Sequence, residues 1–299
     1  MPVLLQRLPP AEWPALAALI LECNRRPDGG VRCLHSAQGA DLASHAAELA
    51  GLPTDEAAFW AITEGGARVG VLGCEFDPAL RRAWLRGPLA VEQRVLDELL
   101  PLAGPTLEAA LPDLRQFDAF PAAGDEALNA WYAAAGYLPL LIHTVLRAPI
   151  VPRPDSAGRV RRAVPSDLAA VGALHQSLFP VGYLRESDFR DAVEPDADRA
   201  LFVAVDENDV PVGYLYVNDN DAEQEAYVDY LGVAESQRGR GLGRALLDAS
   251  FGWGTLHGRR HVALTVSEER QGALALYRHA GFAEVSVGRH WRKVVGGLG

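Results

Sequence analysis

The sequence predicts an α/β (α+β) fold arranged as two domains in tandem, and three observations support this prediction. Apolar periodicity in the second half indicates the order strand, helix region, three strands, helix, strand, helix, strand. Residues 128–137 repeat the pattern of residues 273–282 at an offset of 145 residues. A proline-dense segment, residues 148–158, separates the two copies. We therefore expect domains over residues 1–147 and 159–299, joined by that linker.

The first half alternates short apolar runs with turn residues. Asp41 is placed to cap a helix that runs to Ala50, and Glu64-Gly65-Gly66 is typical of a hairpin turn. Residues 25–38 are rich in turn formers. The remaining elements are predicted as strands over 3–8, 57–63, 68–76, 83–89 and 114–120, and helices over 11–23, 91–103 and 128–137.

The second half opens with a predicted strand over 160–164, after which Ser166 or Asp167 caps a helix that runs to Phe179. The turn-forming residues 206–209 separate two further strand patterns. The later elements are predicted as strands over 201–205, 210–217, 227–233 and 261–266, and helices over 245–249 and 273–282.

A glycine- and arginine-rich turn, residues 237–244, lies between the strand over 227–233 and the next helix. Backbone N–H groups at the start of a helix lack partners within the helix and lie at the positive end of its dipole. Glycine allows close approach of an anion, and arginine adds charged donors. The turn is therefore suited to a phosphate or pyrophosphate, although a turn that only caps a helix has a similar composition.

Two blocks of sequence resemble the GNAT superfamily of acyl-CoA-dependent N-acetyltransferases. The first is the pattern Arg238-x-x-Gly241-x-Gly243 with the preceding Leu231-Gly232-Val233, and the second is Ala-x-x-Leu-Tyr-x-x-x-Gly-Phe over residues 273–282. The resemblance implies tandem GNAT-like domains of the mycothiol synthase-like kind, each with a mixed, mostly antiparallel central sheet flanked by helices. It covers residues 159–292 well and the first half faintly.

The resemblance also implies acetyl-CoA as co-substrate and no metal. By this analogy the turn holds the pyrophosphate, the strand near Val233 pairs with pantetheine, and the Leu231 N–H polarises the acetyl carbonyl. Where many relatives have an asparagine that touches the cofactor, this chain has Arg270, which could still reach a phosphate. The cofactor-binding residues expected by analogy are Leu231, Gly232, Val233, Arg238, Gly239, Arg240, Gly241, Leu242, Gly243, Arg244 and Arg270.

Acetyl transfer to an amine needs a base for the ammonium proton and an acid for the leaving thiolate. Tyr277 takes the family's position for the acid, and the alternative is a core aromatic with a satisfied hydroxyl. Asp229 and Glu225 are the candidate bases, and the alternative is a solvated acidic strand edge. Strand alternation places both carboxylates on one face, together with Leu231 and Val233.

The first copy of the repeat keeps the tyrosine and a glycine of the second copy but lacks its glycine-rich turn. At the offset of 145 residues, Tyr132 aligns with Tyr277 and Gly87 with Gly232. The following residues contain no Gly-x-Gly, and Pro88 removes a backbone donor. We expect a degenerate GNAT-like first domain that does not bind acetyl-CoA and a catalytic second domain.

Composition and charge narrow the function classes. The composition, with 49% hydrophobic and 22% charged residues, is typical of a globular protein. The formal net charge of −11 argues against a nucleic-acid binder, because phosphate backbones are bound by basic surfaces. Neither a signal peptide nor a membrane span is indicated, so we expect a cytoplasmic protein without membrane association. Three cysteines and the scattered histidines lack metal-ligand spacing.

The expected function is therefore acetyl-CoA-dependent N-acetylation of a primary amine of a small molecule, by direct attack of the amine on the thioester. A monomer with an internal pseudo-dimer, or a homodimer, fits this prediction. The alternatives are a non-catalytic acyl-CoA-binding or sensing protein and a protein N-acetyltransferase. The sequence leaves the acceptor open.

Overall fold

A computed structural model describes residues 2–25, 32–34, 41–153, 159–180, 182–195, 197–220 and 223–296. Within these limits the chain divides into two compact units. Unit 1 comprises residues 1–144, 267–269 and 286–299, and unit 2 comprises residues 145–266 and 270–285.

The elements of the first half follow the predicted order as far as the helix over 126–134, and the strand after that helix was not predicted. A 3-10 helix (Pro10–Leu16) precedes α1. The strands and helices are β1 (Val3–Arg7), α1 (Ala17–Asn24), α2 (Leu42–Gly51), β2 (Ala57–Glu64), β3 (Ala67–Asp77), β4 (Arg82–Ala90), α3 (Gln93–Ala110), β5 (Gln116–Ala119), α4 (Glu126–Ala134) and β6 (Leu138–Pro149).

The elements of the second half confirm the predicted order of strands and helices. Single 3-10 turns lie at Pro165–Asp167 and Glu235–Gln237. The strands and helices are β7 (Val160–Arg162), α5 (Leu168–Leu178), α6 (Glu186–Asp191), β8 (Arg199–Val205), β9 (Pro211–Asn220), β10 (Glu225–Val233), α7 (Leu242–Leu256), β11 (His261–Ser267), α8 (Gln271–His279) and β12 (Ala283–Val294).

Unit 1 is built on a mixed, mostly antiparallel sheet with the order β1-β2-β3-β4-β5-β12. Only β4 and β5 pair in parallel among these strands. Trp60 and Ile62 of β2 pack in the core formed with α3 and α4, whereas Phe59 and Ala61 pack in the core formed with α1 and α2. Because both faces are covered, β2 is buried almost continuously.

Unit 2 contains the sheet order β11-β10-β9-β8-β7, in which β10 and β11 pair in parallel and the other pairs are antiparallel. Alternate residues of β9 divide its two faces. Leu215 and Val217 pack with α7 and α8, and Tyr214 and Tyr216 pack with α5 and α6. We refer to these faces as the α7 face and the α5 face.

Several element boundaries differ from those predicted. The helix expected over 11–23 starts as a 3-10 helix containing Pro14, since proline lacks the N–H that an α-helical bond at that position requires. Helix α3 continues to Ala110 past Pro101 and Pro105, and α7 begins at Leu242 instead of residue 245. The prolines do not end α3 because tertiary packing outweighs the local preference.

The predicted linker and domain limits are only partly covered by the structure. Strand β6 continues through Pro149, so the linker expected from residue 148 begins as a strand. Residues 154–158 of that linker, and residues 26–31 and 35–38 of the turn-rich segment, lie outside the described residues. The domain limits 1–147 and 159–299 remain a prediction. The compact units do not follow these limits, because residues 286–299 group with unit 1. Within unit 1, Trp291 of β12 pairs with Ala119 of β5.

Two further observations concern the cysteines and the length of the helices. Cys23, Cys33 and Cys74 are buried free cysteines. In the part of the chain that the structure describes, no helix has the length and apolar character needed to cross a bilayer.

The two leucines of α3 offer a test of the unit 1 core. Leu99 is fully buried, whereas Leu102 on the same helix is 44% exposed. We expect Leu99→Ala to lower the free energy of unfolding by about 2–5 kcal/mol, because it leaves a cavity, and Leu102→Ala to change it by less than about 1 kcal/mol. Urea denaturation measures both, and equal effects would contradict this placement of α3.

Candidate active site

The glycine-rich turn opens α7 in the way that the sequence predicts. Gly239 and Gly241 have positive φ values of 76° and 79°, a conformation that favours glycine. The first α-helical hydrogen bond of α7 runs from the Ala245 N–H to the Gly241 carbonyl, at 3.0 Å. The N–H groups of Leu242 and the next two residues therefore lack α-helical partners at the positive end of the helix dipole. This arrangement fits an anion.

Side chains and a neighbouring arginine anchor the turn from outside. The Arg238 Nε donates to the Val233 carbonyl at 3.2 Å, and Arg159 donates to the Arg240 carbonyl at 2.6 Å. Arg244 pairs with Asp248 at 3.0 Å, one turn along α7. Asp248 offsets the charge of Arg244, whereas the side chains of Arg238 and Arg240 are exposed.

Strand β10 carries one extra residue at Asp229. Its register with β9 shifts between Val228, which is opposite Val217, and Tyr230, which is opposite Tyr216. Such a bulge reverses the alternation of side chains along the strand. Ala226 and Val228 lie on the α7 face before the bulge, and Leu231 and Val233 lie on the same face after it.

Because of the bulge, the predicted face of Asp229 is wrong. An unbroken alternation places Asp229 on the face of Leu231 and Val233. In the structure Asp229 bonds residues of the α5 face, and the following Tyr230 also packs on that face. A single extra residue is enough to reverse the predicted face, because side chains in a strand alternate with a period of two.

The pairing of β10 with β11 ends at the bulge. The parallel ladder joins Glu225–Val228 to His261–Leu264, and no pairing beyond it joins the described residues of these two strands. Strand β10 nevertheless continues to Val233 and β11 continues to Ser267. The backbone of β10 from Asp229 onward therefore presents an edge toward β11 that the ladder leaves open, next to the start of α7.

Asp229 is half-buried at the bulge and is held there by two hydrogen bonds. Its carboxylate accepts hydrogen bonds from the Tyr183 hydroxyl, at 2.8 Å, and from the Asn218 side-chain amide. Burial raises the pKa of Asp229 to about 6, and the bond from Tyr183 and the charge of Arg199 limit the rise. A carboxyl with such a pKa can accept and release a proton close to neutral pH.

Sequence reasoning missed both partners of Asp229. Asn218 continues the alternation of Tyr214 and Tyr216 along β9, one residue past the end of the predicted strand, so a longer strand prediction would have identified it. Tyr183 precedes α6 and contacts Asp229 across 46 residues of sequence. No local pattern in the sequence indicates that contact.

Glu225 lies at the opposite end of β10 from the open edge. It is opposite His261 in the β11 ladder and forms a buried ion pair with Arg147. Burial raises the pKa of Glu225, and the charge of Arg147 opposes that rise. Between the two carboxylates, the Tyr227 hydroxyl donates to the Thr265 hydroxyl at 2.7 Å. The structure therefore separates Glu225 from the gap that Asp229 borders.

Tyr277 lies on α8 with 7% of its surface exposed and its ring 5.8 Å from that of Phe282. Burial raises its pKa to about 12, against the lowering effect of the charge of Arg270. The hydroxyl therefore stays protonated at neutral pH and can donate a proton or hydrogen bond. No residue within the described ranges hydrogen-bonds this hydroxyl.

Arg270 precedes α8 and directs its side chain to the α5 face. Its guanidinium lies 4.9 Å from the centre of the Phe179 ring. Phe179 in turn lies 4.9 Å from Tyr230 and 5.6 Å from His175. His175 is a buried packing histidine whose Nδ1 lies 2.6 Å from the Tyr214 hydroxyl, and burial lowers its pKa.

The corresponding position in unit 1 has a different arrangement. The Tyr132 hydroxyl donates to the Gly87 carbonyl of β4 at 2.7 Å. The parallel ladder of β4 and β5 ends at Trp84, yet β4 continues to Ala90. Helix α3 begins at Gln93 after Glu92, without a glycine turn. The strand edge of unit 1 is therefore tied to the aligned tyrosine.

Comparisons with known proteins agree with this geometry. The acetyltransferase (GNAT) family model matches residues 168–282. An aminoglycoside N(6')-acetyltransferase type 1 of Stenotrophomonas maltophilia is 31% identical over 142 residues, which cover 43% of this chain and 88% of that protein.

Two other relatives are covered over a smaller share of their length. An uncharacterized N-acetyltransferase of Methanocaldococcus jannaschii is 30% identical over 103 residues, 33% of this chain and 46% of that protein. A mycothiol acetyltransferase of Clavibacter michiganensis is 35% identical over 114 residues, 38% of this chain and 37% of that protein. The chain thus spans less than half of either relative.

Solved structures share the fold over nearly the whole chain. A GCN5-related N-acetyltransferase from Sphaerobacter thermophilus has a TM-score of 0.73 and 20% identity, covering 99% of this chain and 97% of its own. A tandem GNAT protein from the clavulanic acid biosynthesis pathway has a TM-score of 0.66 and 17% identity, covering 99% and 100%.

The family-model match and the aminoglycoside acetyltransferase, of which the chain covers 88%, define the class of this protein as that of the acetyltransferase family. The chain belongs to the GNAT acetyltransferase family and has the tandem-domain form of that fold.

Proposed function

We propose that the chain is an acetyl-CoA-dependent N-acetyltransferase that acetylates a primary amine of a small molecule. Three neighbouring features support this most strongly. Strand β10 carries an open backbone edge and a half-buried carboxyl at Asp229, and the glycine turn at the start of α7 follows this strand. Relatives named for an aminoglycoside and for mycothiol favour a small-molecule acceptor.

The residues fit acetyl-CoA as co-substrate. The N–H groups from Gly239 to Arg244 would hold the pyrophosphate, because they lie at the start of α7 with left-handed glycines that permit close approach. The N–H of Arg238, which the sequence prediction included, instead donates to the Glu235 carbonyl at 3.2 Å. The edge of β10 near Val233, including Gly232, would pair with the amide-bearing arm of the co-substrate. The Leu231 N–H would then donate to the acetyl carbonyl oxygen.

The chemistry follows from these positions. The Asp229 carboxylate takes a proton from the substrate ammonium, directly or through water, and the freed amine attacks the carbonyl carbon of the thioester. Negative charge that develops on the carbonyl oxygen is stabilised by the backbone donor. The carbon–sulfur bond then breaks, the nitrogen releases its second proton to water, and Tyr277 protonates the leaving thiolate. Direct attack leaves no acyl group on the enzyme.

We propose that unit 2 alone carries out this reaction. In unit 1 the bond between Tyr132 and the Gly87 carbonyl uses the hydroxyl that would serve as the acid. The start of α3 also lacks the glycines that permit close approach of a phosphate. Both features support a structural role or a substrate-shaping role for the first half.

Two glycines of α7 test the phosphate site. Gly243 lies in the first turn, whereas Gly252 is exposed on the same helix with no atom within 4 Å of an added Cβ. We expect Gly243→Glu to weaken acetyl-CoA binding by at least about tenfold, through charge repulsion and through the tight contact of its Cβ with Leu276, at 3.3 Å. Gly252→Glu should leave the binding unchanged. Isothermal calorimetry measures both, and full affinity in Gly243→Glu would reject the site.

The aligned tyrosines provide a matched pair for the acid. We expect Tyr277→Phe to lower kcat by about 10²-fold or more with little change in acetyl-CoA affinity, because only proton donation is lost. Tyr132→Phe removes a buried hydrogen bond. It should cost about 1 kcal/mol of stability and leave kcat unaltered. An unchanged rate in Tyr277→Phe would remove the tyrosine from the mechanism.

The pH dependence tests the base. Burial raises the pKa of Asp229 to about 6, and a base works only when deprotonated. The kcat/KM value should therefore rise with pH through about 6 and then level off. Asp229→Asn should abolish this rise and lower the plateau by about 10²-fold or more.

Glu225→Gln is the matched control for the pH profile. Because Glu225 is paired with Arg147 at the far end of β10, the variant should keep the rise near the same pH. If Glu225→Gln removes the rise and Asp229→Asn keeps it, the roles of the two carboxylates are reversed.

A further inference from the structure

We propose that Arg270 binds a carboxylate of the acceptor, so that the acceptor class is an amine that also bears an acidic group, such as an amino acid or a peptide. This inference rests on the proposed acetyltransferase function and narrows its substrate. The position of the Arg270 side chain, which reaches Phe179 on the α5 face, supports it.

The side chain of Arg270 crosses from one face of the sheet to the other. Its helix, α8, packs on the α7 face through Leu274 and Tyr277. Its guanidinium instead lies over Phe179, which packs on the α5 face. The crossing occurs beside the stretch where β10 and β11 no longer pair. Arg270 therefore borders the gap at which the thioester and the amine must meet.

The direction of this side chain argues against a phosphate partner. The first turn of α7, which forms the phosphate site, packs against the opposite face. A Cβ added at Gly243 would lie 3.9 Å from Leu231 and 4.0 Å from Val233, both on the α7 face. A guanidinium stacked on Phe179 thus faces the acceptor side of the gap, whereas the cofactor role expected from the sequence requires it to face α7.

The charge of Arg270 is free to meet a ligand. Several other arginines of unit 2 are paired with carboxylates, among them Arg161 with Asp167, Arg199 with Asp198, and Arg259 with Asp219. Arg270 is exposed, and it forms no ion pair with any residue in the described part of unit 2. The guanidinium lies over the Phe179 ring, and its planar fork of N–H donors suits two parallel hydrogen bonds to a carboxylate.

The same face offers a complementary charge for the amine. The Asp229 carboxylate bonds Tyr183, whose ring lies 5.4 Å from that of Tyr230. The Tyr230 ring lies 4.9 Å from that of Phe179, on which Arg270 stacks. A negative group and a positive group are therefore connected through contacts among three aromatic rings of the α5 face. An acceptor that carries both an ammonium and a carboxylate offers a partner to each charge.

The test compares acceptors that differ only in the acidic group. The probes are the standard L-amino acids and short peptides, each paired with its C-terminal amide, and turnover is followed by thiol release from acetyl-CoA. We expect the acid of the best pair to exceed its amide in kcat/KM by about 10- to 100-fold, the range for loss of a charged hydrogen bond. Arg270→Gln should bring this ratio close to one.

Three further variants separate this role from others. Arg278→Gln removes the same charge from an exposed position of α8 and should keep the full preference. Arg270→Lys should retain part of it, because a point charge replaces the planar fork. Phe179→Leu should reduce it by removing the stacking surface. Acetyl-CoA affinity should be unchanged in Arg270→Gln.

Two results would overturn the proposal. One is an acid-to-amide ratio in Arg270→Gln equal to that of the unaltered chain. The other is a loss of acetyl-CoA affinity in Arg270→Gln with the ratio kept, which would assign Arg270 to the cofactor.

Binding of the product keeps the inference testable without turnover. N-acetyl-amino acids and their amides are titrated by calorimetry against the intact chain and Arg270→Gln. If no amine is acetylated, the proposed function fails, but binding that requires both the carboxylate and Arg270 would still support the acidic-ligand site. Equal binding of acid and amide would overturn it.

Discussion

The end of the β10–β11 ladder at the Asp229 bulge is the constraint on which the site depends. Up to Val228 the two strands are joined residue by residue. One extra residue then breaks the register with β9 and leaves the rest of β10 with an open edge toward β11. The same residue turns its carboxyl to the α5 face, where Tyr183 and Asn218 hold it. Backbone donors and a titrating group thus arise from a single local irregularity.

This arrangement has a cost in stability. Because burial raises the pKa of Asp229 from 3.8 to about 6, the folded state disfavours the ionised carboxyl relative to the unfolded chain. Stability from this group is therefore greatest below the unfolded pKa and falls as pH rises through about 6. At the aligned position unit 1 has Trp84 in place of a carboxyl, and Tyr132 bonds the strand edge.

Local chemistry explains what the sequence could predict. Gly239 and Gly241 indicate left-handed turn positions directly. The prediction for Tyr277 rests on the family resemblance of residues 273–282 and stays a prediction. The order of strands and helices follows from apolar periodicity. The faces of β10 were predicted wrongly because the residue types of a strand do not reveal a bulge, and a shift of one residue reverses every side chain beyond it. The contact of Tyr183 with Asp229 joins distant segments and depends on tertiary packing.

Calorimetric titration of the intact chain with acetyl-CoA tests the central claim most directly, because the two halves of the chain differ in whether the strand edge and the helix start are open. We expect one site per chain, and Gly243→Glu should abolish or severely weaken it. Two sites of comparable affinity, or one site that Gly243→Glu leaves intact, would contradict the assignment of cofactor binding to unit 2.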